Sequence, residues 1–398
     1  MSAAPLNLIT VMLLSGETTR AQEVLPGAAP APVAPAPPPP ALPEWLDGVT
    51  LHGFVDTYFA VNSNRPADGA NFLPGTGSTG KRFNEFTLNL AALDVAVEKG
   101  PVLGRLTLAF GNGIEVLHAG EPRGIATGPD VLRNVLTASV GYAAPFVRGL
   151  TVEAGKFPSH VGLEVMASKD NWNYTRAWSG EYSPYYSAGL KVSYAFPRYV
   201  TVTGLLLNGW QVTGENNLFK SVGTQVAWNS ERLVLSWGTL LGSELPGARN
   251  TLTGWQSPYL DTRVRFFNDL VVVLKPTPHV NLGAQVDVGY QQADKDKHQV
   301  WAAAGAYLRL LQWEKLAFAF RLETFLDPFN AISGFEQWLT GATATVELMP
   351  APFLSLKLEA RSDYSSVPAF GTAETTDDGT VIGTRTQNLL VGGAVVYF

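Results

Sequence analysis

The chain has 398 residues, with 28 Lys+Arg against 34 Asp+Glu, five His and no Cys. The acidic balance argues against a nucleic-acid partner, and the missing cysteine removes disulfides, thiolate metal sites and thiol nucleophiles together. Only 16% of residues are charged, against about 25% in soluble proteins, yet no stretch reaches the ~20 apolar residues of a membrane helix.

Residues 1–21 read as a weak signal peptide, with Leu6–Leu14 as its apolar core and Thr19-Arg20-Ala21 as its small-residue exit. The usual basic start is missing, since no Lys or Arg precedes Arg20. Residues 22–44 are rich in Pro and Ala. They favour polyproline II, cannot build a core and read as a semi-rigid periplasmic spacer. The folded domain is expected over 45–398.

From Val49 onward the apolar period is two, the period of strands. In 280–290 one face carries Val280, Leu282, Ala284, Val286, Val288 and Tyr290, and the other carries Asn281, Gln285 and Asp287. In 354–363, Leu354, Leu356, Leu358 and Ala360 oppose Ser355, Lys357, Glu359, Arg361 and Asp363. About sixteen such runs follow one another: 49–61, 84–98, 103–112, 131–142, 149–157, 185–196, 199–210, 218–229, 232–242, 259–274, 279–291, 299–311, 314–326, 337–348, 353–363 and 386–398. Most exceed the five or six residues of soluble strands and suit the ~9–11 that a tilted strand needs to cross a bilayer.

The connections alternate between long and short. Short links such as Lys99-Gly100-Pro101, Phe196-Pro197-Arg198 and Gln312-Trp313 separate long segments at 62–83, 113–130, 158–184, 243–258, 291–298, 327–336 and 364–385. Short turns on one rim and long loops on the other belong to outer-membrane barrels, and an even strand count puts both termini on the short-turn, periplasmic side. In hydrocarbon a sheet edge cannot remain unpaired, so a sheet with one apolar and one charged face must close with its apolar side outward. The expected fold is therefore all-β: a transmembrane antiparallel up-and-down barrel of about sixteen strands, with outer-membrane lipid as its surroundings. Aromatic girdles are expected at Tyr142, Phe146, Phe196, Tyr199, Trp228, Trp313 and Phe353 near the short turns. The opposite girdle would hold Tyr58, Phe59, Trp210, Tyr259, Tyr290, Trp301, Phe325 and Trp338. A soluble four-bladed propeller fits less well, because it buries both faces of its inner strands and no blade motif repeats here.

Residues 75–82, GTGSTGKR, spell GxGxxG and come near a P-loop. They lack the preceding buried strand and the following helix that a phosphate site needs, and read instead as a flexible Gly/Ser loop. The five His fall on separate segments without metal spacing, and neither HExxH nor GxSxG occurs. No cofactor, metal or catalytic residue is expected.

Parity turns Arg105, Arg133, Lys191, Arg263, Arg265, Arg309, Arg321, Lys357 and Arg361 inward, together with Asp56, Asp94, Glu153, Asp261, Asp287, Glu323, Glu347, Glu359 and Asp363. These are the candidate pore-lining charges. Sixteen strands enclose more space than side chains fill, so a polar lumen is the expectation over a wall of salt bridges. Arg263-x-Arg265 and Arg321-x-Glu323 are the candidates for a constriction. The longest loop could enter the pore, with Glu164, Lys169, Asp170 and Arg176 as contacts and Trp172, Tyr174 and Trp178 as stacking surfaces for sugars. Alternatively it packs as a cap on the rim.

From about His52 to Phe398 the sequence also resembles the OmpL-like β-barrel porins of the bacterial outer membrane. The resemblance rests on Gly155, Lys156, Phe157, Gly162 and Glu164, then on Asn173-Tyr174-Thr175-Arg176, Pro184 and Gly189. It continues through Asn208-Gly209-Trp210, Asn217, Lys220 and Gly242-Ser243-Glu244. It implies a porin, and it transfers no substrate or binding residue. The expected function is a passive diffusion channel for small hydrophilic solutes or ions, with a homotrimer suggested by analogy with other sixteen-stranded porins. The alternative is a plugged barrel that binds at the surface or anchors the envelope.

Overall fold

A computed structural model describes residues 46–121, 130–215, 217, 219–244, 263–294 and 296–398. The expected signal and spacer lie outside the described residues. Sixteen strands form the wall: β1 (Val49–Asn62), β2 (Phe86–Lys99), β3 (Val102–Phe110), β4 (Val135–Ala143), β5 (Leu150–Pro158), β6 (Tyr186–Ala195), β7 (Val200–Leu207), β8 (Ser221–Asn229), β9 (Leu233–Ser243), β10 (Val264–Thr277), β11 (Val280–Asp294), β12 (Lys297–Trp313), β13 (Leu316–Asp327), β14 (Gln337–Ala351), β15 (Leu354–Ser365) and β18 (Thr386–Tyr397). Each pairs antiparallel with its neighbour in sequence, β15 pairs with β18, and β18 closes the ring on β1 through pairs such as Phe54↔Tyr397. A two-stranded hairpin, β16 (Phe370–Thr375) with β17 (Val381–Thr384), stands in the last long loop.

The period-two pattern is the barrel's inside and outside. Leu322 is 65% exposed while Arg321 beside it is 1% exposed. Leu190, Val286 and Leu358 face outward in the same way, and Glu347, Lys357, Glu359, Arg361 and Asp363 are buried inside. Closure leaves no edge strand in the membrane, as backbone pairing in hydrocarbon requires. Among the described residues no helix is long and apolar enough to cross a membrane. The two α-helices among the described residues are short: α1 (Asn112–Leu117) and α2 (Trp178–Glu181) lie in loops.

The short-turn girdle is outward-facing as expected, from Tyr142 and Phe146 to Trp313 and Phe353. The opposite girdle needs correction. Trp338 faces out, in company with Phe86, Phe110, Phe219 and Phe266, but Tyr58, Trp301 and Phe325 are buried inside. They point inward because loops fold into the barrel and give them apolar partners. Tyr259 lies outside the described residues.

Two boundaries also differ from expectation, and one kink stands out. Residues 130–134 form a 3-10 turn, so β4 begins at Val135 and Arg133 is off the strand; the Asn134 side chain donates to Ala109 O at this point. The polar segment 291–298 is a ribbon rather than a long loop, with Gln291↔Gln299 and Gln292↔His298 continuing the ladder. The alternation persists there although both faces are polar. Finally, Gly155 (φ 130°) and Gly189 (φ 156°) face each other across β5 and β6. A Cβ on Gly155 would stand 2.2 Å from Ala138 O of β4, and one on Gly189 2.1 Å from Leu206 O of β7, so only glycine fits this kink.

Candidate functional site: a loop held inside the barrel

Loop 3 (159–185) does not cap the rim. It turns into the lumen and follows the inner wall. The His160 ring donates through Nε2 to Thr239 O (2.8 Å), and Gln225 donates to His160 O (2.6 Å). This entry needs bare backbone below it: a Cβ on Gly238 would lie 2.7 Å from Val161. Next, Gly162 N donates to Asp269 (3.0 Å), Leu163 N to Gln285 (3.1 Å), and Glu164 pairs with Arg321 (2.9 Å). The loop then reaches β15 and β1, where Lys357 donates to Ser168 O (2.8 Å) and Asn171 O (2.5 Å) and Asp56 accepts from Ser168 and Tyr174 (2.7 Å each).

The return leg is bound as densely. Glu359 accepts Tyr174 N (2.5 Å), Thr175 N (3.0 Å) and the Thr175 hydroxyl. Arg321 donates to Thr175 O and Arg361 to Arg176 O, both at 2.5 Å. Trp178 N meets Glu323 (2.5 Å) and its indole N–H meets Asp363 (3.0 Å). The chemistry is consistent along the whole path. Wall carboxylates and amides accept the loop's N–H groups, and wall cations donate to its carbonyls. A buried loop without such partners would carry unsatisfied backbone groups at about 1–3 kcal/mol each.

Loop 1 (63–85) is the second layer. Its Gly-rich stretch is not a flexible tether: Thr76, Ser78 and Thr79 are buried. Gly77 N, Ser78 N and the Ser78 hydroxyl donate to the Glu181 carboxylate at 3.0, 3.0 and 2.7 Å. The turn thus forms an anion-binding nest of the kind phosphate sites use, filled here by the chain's own carboxylate. Arg176 donates to Val165 O and to the Ser78 hydroxyl. Lys81 donates to Leu73 O (2.9 Å), and burial pulls its ammonium pKa down to about 8. Between the loops lies a packed apolar cluster that includes Tyr58, Phe72, Leu73, Phe157, Tyr174, Trp178 and Phe325. Tyr174 and Trp178 are therefore sealed, and Trp172 nearly so. None of the three presents a face to a solute.

The two sides of the lumen differ. On β13–β15 the ion pairs Arg321–Glu323 and Arg361–Asp363 have side chains at most 1% exposed. On β2–β6 the pairs Arg105–Asp94 (2.9 Å) and Lys191–Glu153 (2.5 Å) keep 10–28% exposure. At the long-loop end of this open side lie the described parts of loop 2, residues 111–121 and 130–134. There Lys156 meets His118 Nε2 (3.1 Å) and the Tyr186 face (4.0 Å), and Tyr186 donates to Glu121 (2.6 Å).

The remaining sequence candidates scatter. Arg265 stands over the faces of both Trp210 and Trp301 and donates to Gln291. Arg263 precedes β10 and donates to Ala293 O, while Arg265 lies within the strand. Arg309 pairs with Glu347 (2.8 Å), Asp287 shares Gln285 with Asp269, and Lys169 pairs with Asp170 (2.8 Å). Arg133 is half-buried in its turn, and Asp261 lies outside the described residues. Asp269 was missed, although it shares parity with Arg265 and could have been found by that rule. Glu121 and Glu181 sit in loops, where no periodicity marks them. Among the described residues no His/Asp/Glu group could hold a metal.

Residues 48–398 match the family described as "Putative beta-barrel porin-2, OmpL-like". No curated protein matches the chain in sequence. Among solved structures it is similar to the anion-selective porin from Comamonas acidovorans (11% identity, TM-score 0.57, 88% of this chain and 99% of that one). It is also similar to OprB of Pseudomonas putida (11%, 0.56, 89% and 96%). OmpT of Vibrio cholerae, one structure of which is a trimer form, gives 12%, 0.55, 88% and 97%. At such identities the likeness is one of fold.

Proposed function

Because the chain belongs to this family of outer-membrane β-barrel porins, we propose that it is a narrow passive channel whose open path follows the β2–β9 side of loop 3. The observation that carries this reading is the unequal exposure of inward charges across the lumen. The β13–β15 side is closed by its bonds to loop 3, while Asp94, Arg105, Glu153 and Lys191 keep contact with solvent. Low-dielectric walls focus the field of such charges on whatever passes. A polar path lets small hydrophilic solutes cross without entering hydrocarbon, and no catalytic step is needed. The charges Arg105, Lys191, Asp94 and Glu153 would line the path, whereas Arg321, Glu323, Lys357, Glu359 and Arg361 would hold its far wall.

The short-turn end then faces the periplasm, with both ends of the barrel there, and residues 1–21 and 22–44 serve as export signal and spacer. A homotrimer would follow the trimer form seen for OmpT. The packed cluster around Trp178 favours a second reading, a closed barrel whose long loops do the work. Proteoliposome swelling separates the two. The channel reading predicts swelling with glycerol or urea that fades for disaccharides. No swelling from protein verified as folded and inserted would leave the closed barrel.

A further inference from the structure

On the open side, a cavity of about 510 Å3 lies between loop 3 and the inner faces of β1–β4 and β8–β10. Its size falls in the ~300–1,000 Å3 range of small-molecule pockets. Much of its lining is apolar, with Phe54, Leu136, Val165 and Met166 contributing. Two ion pairs flank this surface. Asp94–Arg105 stands on the wall and Lys169–Asp170 on loop 3, with side chains 16–30% exposed. His160 also lines the cavity; its Nδ1 is buried and without a partner.

Each charge stands beside its opposite, so an ion of single sign gains attraction from one member and repulsion from the other. A molecule carrying both signs can exchange partners with a pair and lose neither interaction, while the apolar wall rewards an apolar body. We propose that this chamber is a binding site for small zwitterions with an apolar body, that is, amino acids with apolar side chains or very short peptides. Arg105 and Lys169 would receive the carboxylate; Asp94 and Asp170 would receive the ammonium. The proposal deepens the channel reading and rests on it, since the chamber then lies on the solute path.

The test is equilibrium binding to the full folded protein in detergent, by saturation-transfer NMR, using L-phenylalanine. Phenylacetate, phenethylamine and glycine serve as the single-charge and bodiless controls. L-Phenylalanine should bind at least tenfold tighter than each control. Arg105→Gln should weaken it tenfold or more, and Met166→Trp, which fills the chamber without touching a charge, should abolish it. Both variants are checked for folding by heat-modifiable mobility. Equal binding of a control, no binding of L-phenylalanine, or full binding by folded Met166→Trp would overturn the proposal. Conductance without binding would refute the chamber alone, and binding without conductance would refute the channel reading alone.

Discussion

Glu359 is the wall residue on which loop 3 depends most, and its removal has a calculable effect. The carboxylate is 0% exposed and accepts two loop amides, the Thr175 hydroxyl and the Thr345 hydroxyl. Glu359→Ala leaves those donors without their acceptor and takes a negative charge from beside Arg321. Hydrogen bonds to charged groups contribute about 1.5–3 kcal/mol each, and breaking a buried ionic network costs about 3–5 kcal/mol. The wall's own ladder remains, so the cost falls on local opening of the loop rather than on the barrel. An opening equilibrium shifted by about 3–5 kcal/mol raises trypsin cleavage at Lys169 and Arg176 by roughly 10²- to 5 × 10³-fold when reclosing outpaces cleavage. Cleavage is read by gel and mass spectrometry on protein folded in detergent, with wild type beside the variant. An unchanged cleavage rate in a folded Glu359→Ala barrel would refute the assignment of loop 3 to this wall.

Gly393→Leu should also dislodge the loop, because a Cβ there would lie 2.4 Å from the Tyr174 ring; trypsin sensitivity without loss of the barrel is the expected result. Leu190→Arg should cost about 2–4 kcal/mol in urea unfolding from bilayers, and Ser193→Arg under about 1 kcal/mol; equal costs would reverse the inside and outside. Parity alone suggests that Arg is tolerated at Gln285 too, but that side chain is 1% exposed and binds Leu163 N, Asp269 and Asp287, so Gln285→Arg should be costly. Lys81 binds fewer protons when loop 1 is docked than when it is free, between about pH 8 and its ordinary value of 10.5. Docking therefore strengthens as pH rises through that window, by at most on the order of 3 kcal/mol. Hydrogen exchange of Phe72 and Asn71 should slow in step, once intrinsic rates are corrected, and Lys81→Met should flatten the dependence.

The wall was legible in the sequence because a bilayer enforces a strict rule. Each wall strand shows outward apolar and inward polar residues, and Leu322 beside Arg321 displays both in two positions. The rule fails where the wall leaves the membrane, at the polar ribbon through Gln291 and His298 and at the turn holding Arg133. The loops obeyed no period. Nothing in GTGSTG indicates that its amides meet Glu181 across about a hundred residues of chain. The inward aromatics Tyr58, Trp301 and Phe325 were a signal that something apolar fills the lumen, and reading them as girdle concealed it. The inward charges were found by parity, but their division into a sealed and an exposed side depends on where loop 3 lies, which only the assembled barrel reveals.

Single-channel conductance in a planar bilayer, with wild type beside a deletion of residues 164–180, tests the central claim that loop 3 closes most of the lumen and leaves one path open. Small stepwise ohmic openings for wild type and a severalfold larger step for the deletion are predicted. Equal steps in the two proteins, both verified as folded and inserted, would contradict it.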